Sequence, residues 1–269
     1  MFNRVFIAVG HGGSDPGACA NGLKEKDLNL TISLACRDEL ERHGVSVKMS
    51  RETDVAETLS QQVNECNAFN PDFGVNIHNN AGGGDGAEVF YPLKGGIGKT
   101  LAVNILDGIK EIGQNSRGAK TRKNDSGTDY YGFIRNTKVP AVIVECAFLD
   151  HKTDVQIVDT VAEQKVMGIA IAKGILKTLG IEYKAPGVSE KVEETSDAKF
   201  STSKWGVYTV TPEVGLWLRS GASTKEPTVE LMRGGAKVNC YGFYNGAWYM
   251  VASESGKVGF CHSDYLKKA

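Results

Sequence analysis

An α/β fold, built on a mainly parallel sheet covered by helices and followed by a small all-β barrel, is what this 269-residue sequence predicts. Three observations lead there. Strand-like apolar runs alternate with helical periodicity from the start to about Gly180. Residues 182–204 are poor in large aliphatics and rich in charge, Ser, Thr and Pro, a linker composition. After them come short aromatic-rich strands separated by turns. The expected organisation is a first domain over 1–181, a linker over 182–204 and a second domain over 205–269, and at 41% hydrophobic the chain has apolar residues for a core in each.

The first domain reads element by element. "RVFIAVG" at 4–10 is a buried strand, and Glu25 to His43 is a helix with Leu28, Ile32, Ala35 and Leu40 recurring near 3.6 residues and Gly44 as its stop. "VSVKMS" at 45–50 alternates with period two, and Thr58 to Phe69 is helical, ending before Pro71. In "DFGVNIHNN" at 72–80, Phe73, Val75 and Ile77 share one face while Asn76 and His78 share the other. Then follow the strand "AEVFY", a helix from Thr100 to Ile112, a polar loop from Asn115 to Asp129, the buried strand "AVIVEC" and a helix from about Ala162 to Leu179. In the second domain "GVYTVT", "GLWLRSG", "AKVNCYGFY", "AWYMVAS" and "KVGFCH" are strands, with Asn245-Gly246 a type I′ hairpin signal.

Composition excludes several functions. A net charge of −1 gives no reason to expect nucleic acid, and no run of about 18 apolar residues exists to span a membrane. The N-terminus enters a β-like alternation almost at once, so no signal peptide is expected and the chain is expected to stay in the cytoplasm where it is made. The six cysteines include no C-x-x-C pair, leaving a thiolate zinc site nothing to build on.

The chemistry gathers at strand ends. His11 follows "VFIAVG" and His78 follows "FGVNI", both at the carboxyl ends of buried strands, where a sheet covered on both faces places its reactive groups. Two imidazoles, each trailed by small or amide residues, point to a metal. The candidate third ligand is Glu25, at the start of the first helix, although carboxylates are common there simply because the helix dipole favours them. A base not itself a ligand is offered by Glu145, which ends a run of buried β-branched residues. Glu88 in "GAEVFY" is its rival, better suited to solvent or to a supporting position; Cys146 with His151 is a weaker candidate pair, its neighbours being apolar. "KGGIGKT" at 94–100 has the look of a phosphate-cradling loop, making a P-loop ATPase the alternative. Against that, three strands precede the one it follows, and the only later buried strand ends in Glu rather than Asp.

Five blocks, "HGGSDPGA…NGLKEKDLNL", "SRETD", "NIHNNAGGGDGAEVFY", "SRGAK" and "VPAVIVECAFLD", resemble in order those of the zinc-dependent N-acetylmuramoyl-L-alanine amidases of the third amidase class, over about residues 4–179. The resemblance implies Zn²⁺ held by His11, Glu25 and His78, with Glu145 as catalytic carboxylate. The amide between the lactyl group of N-acetylmuramic acid and L-alanine in peptidoglycan would be cut. One departure is "AVGHGG" where the family shows an Asp-x-Gly-His start, which puts in doubt a carboxylate behind the first ligand. The second domain, with "GLWLRSGASTKEP", resembles bacterial SH3-like wall-binding modules; Trp205, Trp217, Tyr241, Tyr244 and Trp248 are candidates for a wall-ligand groove and equally for its core. Together these imply an endolysin of phage or prophage type. It would be made in the host cytoplasm without a signal peptide and act on the wall of a Gram-positive bacterium after release, with neither nucleic acid nor membrane insertion involved.

Overall fold

The computed structural model describes residues 3–184, 206–244 and 247–269, with side chains up to 242 in the middle segment. Two compact units divide the chain at 183/184. Most of the expected linker, Trp205, the Asn245-Gly246 turn and the side chain of Tyr244 lie outside the described residues.

In the first unit, β1 (Arg4–Val9) is followed by a two-residue ribbon, β2 (Cys19–Ala20) with β3 (Leu23–Lys24), then α1 (Glu25–Arg42), β4 (Ser46–Met49), α2 (Leu59–Phe69) and β5 (Phe73–Asn80). β6 (Ala87–Phe90), α3 (Ile97–Glu111), β7 (Ser116–Lys120), α4 (Gly132–Asn136), β8 (Ala141–Phe148) and α5 (Val161–Leu179) complete it. Local chemistry sets several ends: α2 and α5 begin with reciprocal capping boxes, Thr58 with Gln61 and Thr160 with Glu163. Gly180 closes α5 in the left-handed conformation.

The sheet order is β4-β1-β5-β8-β6-β7. From β1 the chain moves outward to β4, then back across β1 to β5, so right-handed crossovers send α1 and α2 to opposite faces. On one face Phe6 and Ala8 of β1 pack with Val63 and Cys66 of α2 and Phe133 of α4. On the other, α1, α5 and α3 lie against one another with no room for side chains at their crossings: a Cβ on Gly168 would sit 2.3 Å from Ile32 O, and one on Gly174 2.4 Å from Ile105 Cα.

The sheet is parallel except between β8 and β6. Residues 81–86 are too few for a crossover, so β6 returns antiparallel. This reverses its ends: the glycine loop at 94–100 leaves β6 at the opposite edge from the carboxyl ends of β1, β5 and β8. α3 also begins at Ile97 rather than Thr100, so Lys99 and Thr100 belong to its first turn. The expected polar loop at 115–129 opens instead with β7. "SRGAK" has no strand-like pattern of its own, but as an edge strand it needs only the one partner, β6.

The second unit is one seven-stranded sheet, every pair antiparallel: β11 (Thr228–Met232), β10 (Leu216–Arg219), β14 (Val258–His262), β13 (Trp248–Ala252), β12 (Lys237–Tyr244), β9 (Gly206–Val210) and β15 (Leu266–Lys268) in that spatial order. Tyr208, Val210, Leu218, Val238, Val251 and Cys261 are among its core residues. β12 and β13 pair as the hairpin signal between them requires, Tyr244 opposite Trp248.

Candidate metal centre and active site

Parallel pairing of β1 with β5 sets Val9 beside Ile77, and Gly10 N donates to Ile77 O at 3.0 Å, so His11 and His78 emerge side by side where the strand order reverses. His11 takes a left-handed backbone conformation, φ 60°, a strained choice for a histidine that turns its ring back over the sheet end. The ribbon β2–β3 returns the chain so that Glu25, first residue of α1, arrives at the same place. Its carboxylate there has the favourable end of the helix dipole.

The three groups converge. Glu25 Oε2 lies 3.1 Å from His11 Nε2, and Oε1 lies 3.0 Å from His78 Nδ1. One ligand atom from each residue falls within 4.8 Å of the others, and among the described residues no other such trio of His, Cys, Asp or Glu occurs. The carboxylate is aimed by the protein as well: it accepts from Ala18 N at 2.9 Å, Asn79 N at 3.1 Å and Asn29 Nδ2 at 3.2 Å. Burial alone would raise the Glu25 carboxyl, but His11 and His78 hold it well below the usual carboxylate range. His11 is raised to about 9, foremost by its bond to Glu25, against the pull of burial and with Asp15 adding to the rise.

The site is cut close around these rings. A Cβ on Gly10 would sit 2.3 Å from His78 Cε1, and one on Gly17 2.6 Å from both Glu25 Oε2 and His11 Cδ2. Two imidazoles and a carboxylate, pre-aimed at one point from separate elements, fit a divalent ion, and that donor set suits zinc.

Glu145 stands beside them. In register across the sheet lie His78, Glu145 and Glu88, on β5, β8 and β6, so all three side chains share a face. The Glu145 carboxyl is raised to about 7 by burial, with Glu25 and Glu88 adding to the rise and the two imidazoles opposing it. Among the described residues no group donates a hydrogen bond to it, which leaves it free to meet a water. Of the two positions expected for Glu88, solvent or support, solvent is not the one it takes: it is 6% exposed. It is paired with Arg117 Nε at 2.8 Å and Lys120 Nζ at 2.5 Å. Burial works against its ionisation, yet these two cations hold its carboxyl below the usual range.

Cys146, next along β8, points to the other face and is fully buried, and burial pushes its thiol well above the ordinary value; it is no partner for His151, whose ring faces Asp85 and Thr153. His43 caps the end of α1, and His262, in the second unit, ends β14 opposite Trp248.

Sequence reasoning missed the supports. Asp15 Oδ2 accepts from His11 Nδ1 at 2.8 Å, supplying behind the first ligand the carboxylate that the "AVGHGG" start lacks. Arg51, 3% exposed, donates to Gly10 O, Lys26 O and Thr53 O, pinning the His11 loop to α1. Asn29 joins Gly10 O, Glu25 and Asn79 in one network. Asp15 and Arg51 sit inside the blocks "SDPGA" and "SRETD"; Asp15 meets a ring four residues away, whereas contacts across 25 and 41 residues reveal what Arg51 holds.

Within the second unit, Trp217, Arg219, Trp248, His262 and Tyr265 line a cleft of about 530 Å³. Trp217 is exposed at its rim and Tyr241 is buried, so the suspected aromatics divide between surface and interior.

A family model described as N-acetylmuramoyl-L-alanine amidase matches residues 5–177. The chain is 34% identical to the N-acetylmuramoyl-L-alanine amidase CwlM of Bacillus licheniformis, over 72% of this chain and 78% of the relative. It is 31% identical to the endolysin of Bacillus phage SPP1, over 82% of each. Among solved structures, an N-acetylmuramoyl-L-alanine amidase of Nostoc punctiforme is similar at a TM-score of 0.60 and 30% identity, covering 66% of this chain and 97% of that one.

Proposed function

The chain belongs to the N-acetylmuramoyl-L-alanine amidase family, and from that premise we propose that it hydrolyses the amide joining the lactyl group of N-acetylmuramic acid to L-alanine in peptidoglycan, with zinc held by His11, Glu25 and His78 and with Glu145 as catalytic carboxylate. The observation that carries this is the single carboxylate of Glu25 reaching both imidazoles, with an unbonded glutamate next to them in the sheet. When bound, zinc supplies Lewis acidity, polarising the scissile carbonyl and offsetting the charge that builds on its oxygen. Glu145 takes a proton from the attacking water and delivers it to the leaving nitrogen, so that the C–N bond breaks to a lactyl carboxylate and a free alanine amine. A carboxyl raised to about 7 suits both halves of that shuttle. Asp15 orients His11, and Asn29 and the Asn79 N–H orient Glu25.

The second unit is a wall-binding module of SH3-like type in this reading, its aromatic cleft the contact surface, and the protein acts as an endolysin at a Gram-positive wall. An endolysin among the relatives supports this. No helix among the described residues is long and apolar enough to cross a membrane. No comparison favours an ATPase, and the glycine loop lies at the wrong end of the sheet to serve this centre.

The deciding experiment is digestion of purified sacculi with and without chelator, the products read by mass. New alanine amino termini with no new reducing sugars, lost on chelation and restored by zinc, are expected. Cleavage within the glycan or between stem residues would overturn the proposal.

A further inference from the structure

Glu88 is one buried negative charge with two cations on it. Arg117 and Lys120 both bond the same oxygen, Oε2, although one cation would have sufficed to balance it. The excess positive charge is presented outward: the two side chains are 37% and 36% exposed. The Arg117 guanidinium carbon lies over the Phe148 ring, 4.9 Å from its centroid, and among the described residues its terminal nitrogens have no protein acceptor. Two N–H groups of the Lys120 ammonium are free in the same way. Both side chains are thus already ordered while keeping donors to spare, the state in which binding an anion costs least.

Their place relative to the chemistry is fixed by the sheet. The charged ends of Arg117 and Lys120 reach back to Glu88 on the strand next to Glu145, and their own strand, β7, lies two strands from β8, about 10 Å between the backbones. An extended peptide covers that in about three residues. On the amidase reading, on which this inference rests, the two sides of the scissile bond differ in charge. The lactyl carboxyl is consumed in the amide, whereas the stem peptide carries free carboxylates a few residues along.

We propose that Arg117 and Lys120 form an anion subsite that binds a carboxylate of the stem peptide at its second or third residue, laying the peptide across β6 and β7 and leaving the glycan to the β1 side. The enzyme thereby prefers stems with free carboxylates over amidated ones, and Glu88 is the positioning residue that holds both cations in place.

The test uses two muramoyl-tripeptides, identical except that the carboxylates of the second and third residues are free in one and carboxamides in the other. The full-length, zinc-loaded protein is expected to show kcat/KM at least about tenfold higher on the acid substrate, mainly through KM and diminishing with added salt, as a charge-assisted contact of about 1.4 kcal/mol would give. Arg117→Gln/Lys120→Gln is expected to bring the ratio to within about twofold. Equal kcat/KM on the two substrates by the unmodified protein would overturn the subsite while leaving the amidase reading intact. Cleavage of neither would overturn the amidase reading and this one with it. The comparison on the unmodified protein decides even if the double variant, with Glu88 stripped of its partners, does not fold.

Discussion

Gly10→Ala tests the metal centre without touching a ligand. The position follows β1, and a methyl group there would lie 2.3 Å from His78 Cε1, 2.5 Å from Nδ1 and 2.6 Å from Nε2. Carbon atoms in contact settle at about 3.5–4.0 Å, so the ring must retreat by more than about 1 Å. Nδ1 is the atom that faces Glu25 at 3.0 Å, and metal–ligand distances tolerate only about 0.2 Å. A displacement of that size costs about 100-fold in activity, close to 2.7 kcal/mol of transition-state stabilisation. The backbone itself accepts alanine, because Gly10 is not among the glycines with positive φ. The expected result is a folded protein, judged by circular dichroism and thermal melting, that retains well below one zinc per chain after dialysis and digests walls about 100-fold more slowly. Wild-type zinc content together with hydrolysis within threefold of normal would refute the placement of His78 against Gly10.

Four further outcomes follow from the geometry. Glu145→Gln should keep zinc and lose about 10²–10⁴-fold in turnover, read by metal analysis beside wall digestion; full activity would remove Glu145 from proton transfer. Since Glu145 must be ionised to accept a proton and its carboxyl is raised to about 7, the rate should rise with pH on the acid side. A bound dication would move that limb below 7, never above it, and a limb above 7 would refute the assignment. In metal-free protein His11 is raised from its ordinary value to about 9, so the stability it contributes is present below about 6.5 and lost as pH climbs through 9. Melting temperature should therefore fall over that interval, and Asp15→Asn should flatten the fall by removing one of the two carboxylates that hold the proton; an unchanged slope would contradict it. Gly174→Ala, whose methyl would lie 2.4 Å from Ile105 Cα and 2.5 Å from Asn104 O, should force α3 and α5 apart. A cost of about 1–3 kcal/mol is expected, a fall of about 2–12 °C in melting temperature, with an unchanged melting temperature refuting the close crossing.

The candidacy of His11, Glu25, His78 and Glu145 was legible in the sequence, because each stands toward the carboxyl end of a buried strand or starts a helix, where a polar side chain has no reason to be without a task. The alternation of strand and helix and the change of texture after residue 204 were legible for a related reason: periodicity is local chemistry, written within a few residues. β7 was not, since "SRGAK" becomes a strand only through its partner β6, and neither was the reversed direction of β6, which follows from a connection too short to cross over and from pairing with β8 rather than β5. That reversal carries Glu88 into register with Glu145 and His78 and the glycine loop to the other end of the sheet. Asp15 stands only four residues from His11, but that Glu88 meets Arg117 and Lys120, Arg51 meets Gly10 and Asn29 meets Asn79 is decided by contacts across 29 to 50 residues, and those exist only once the chain is packed.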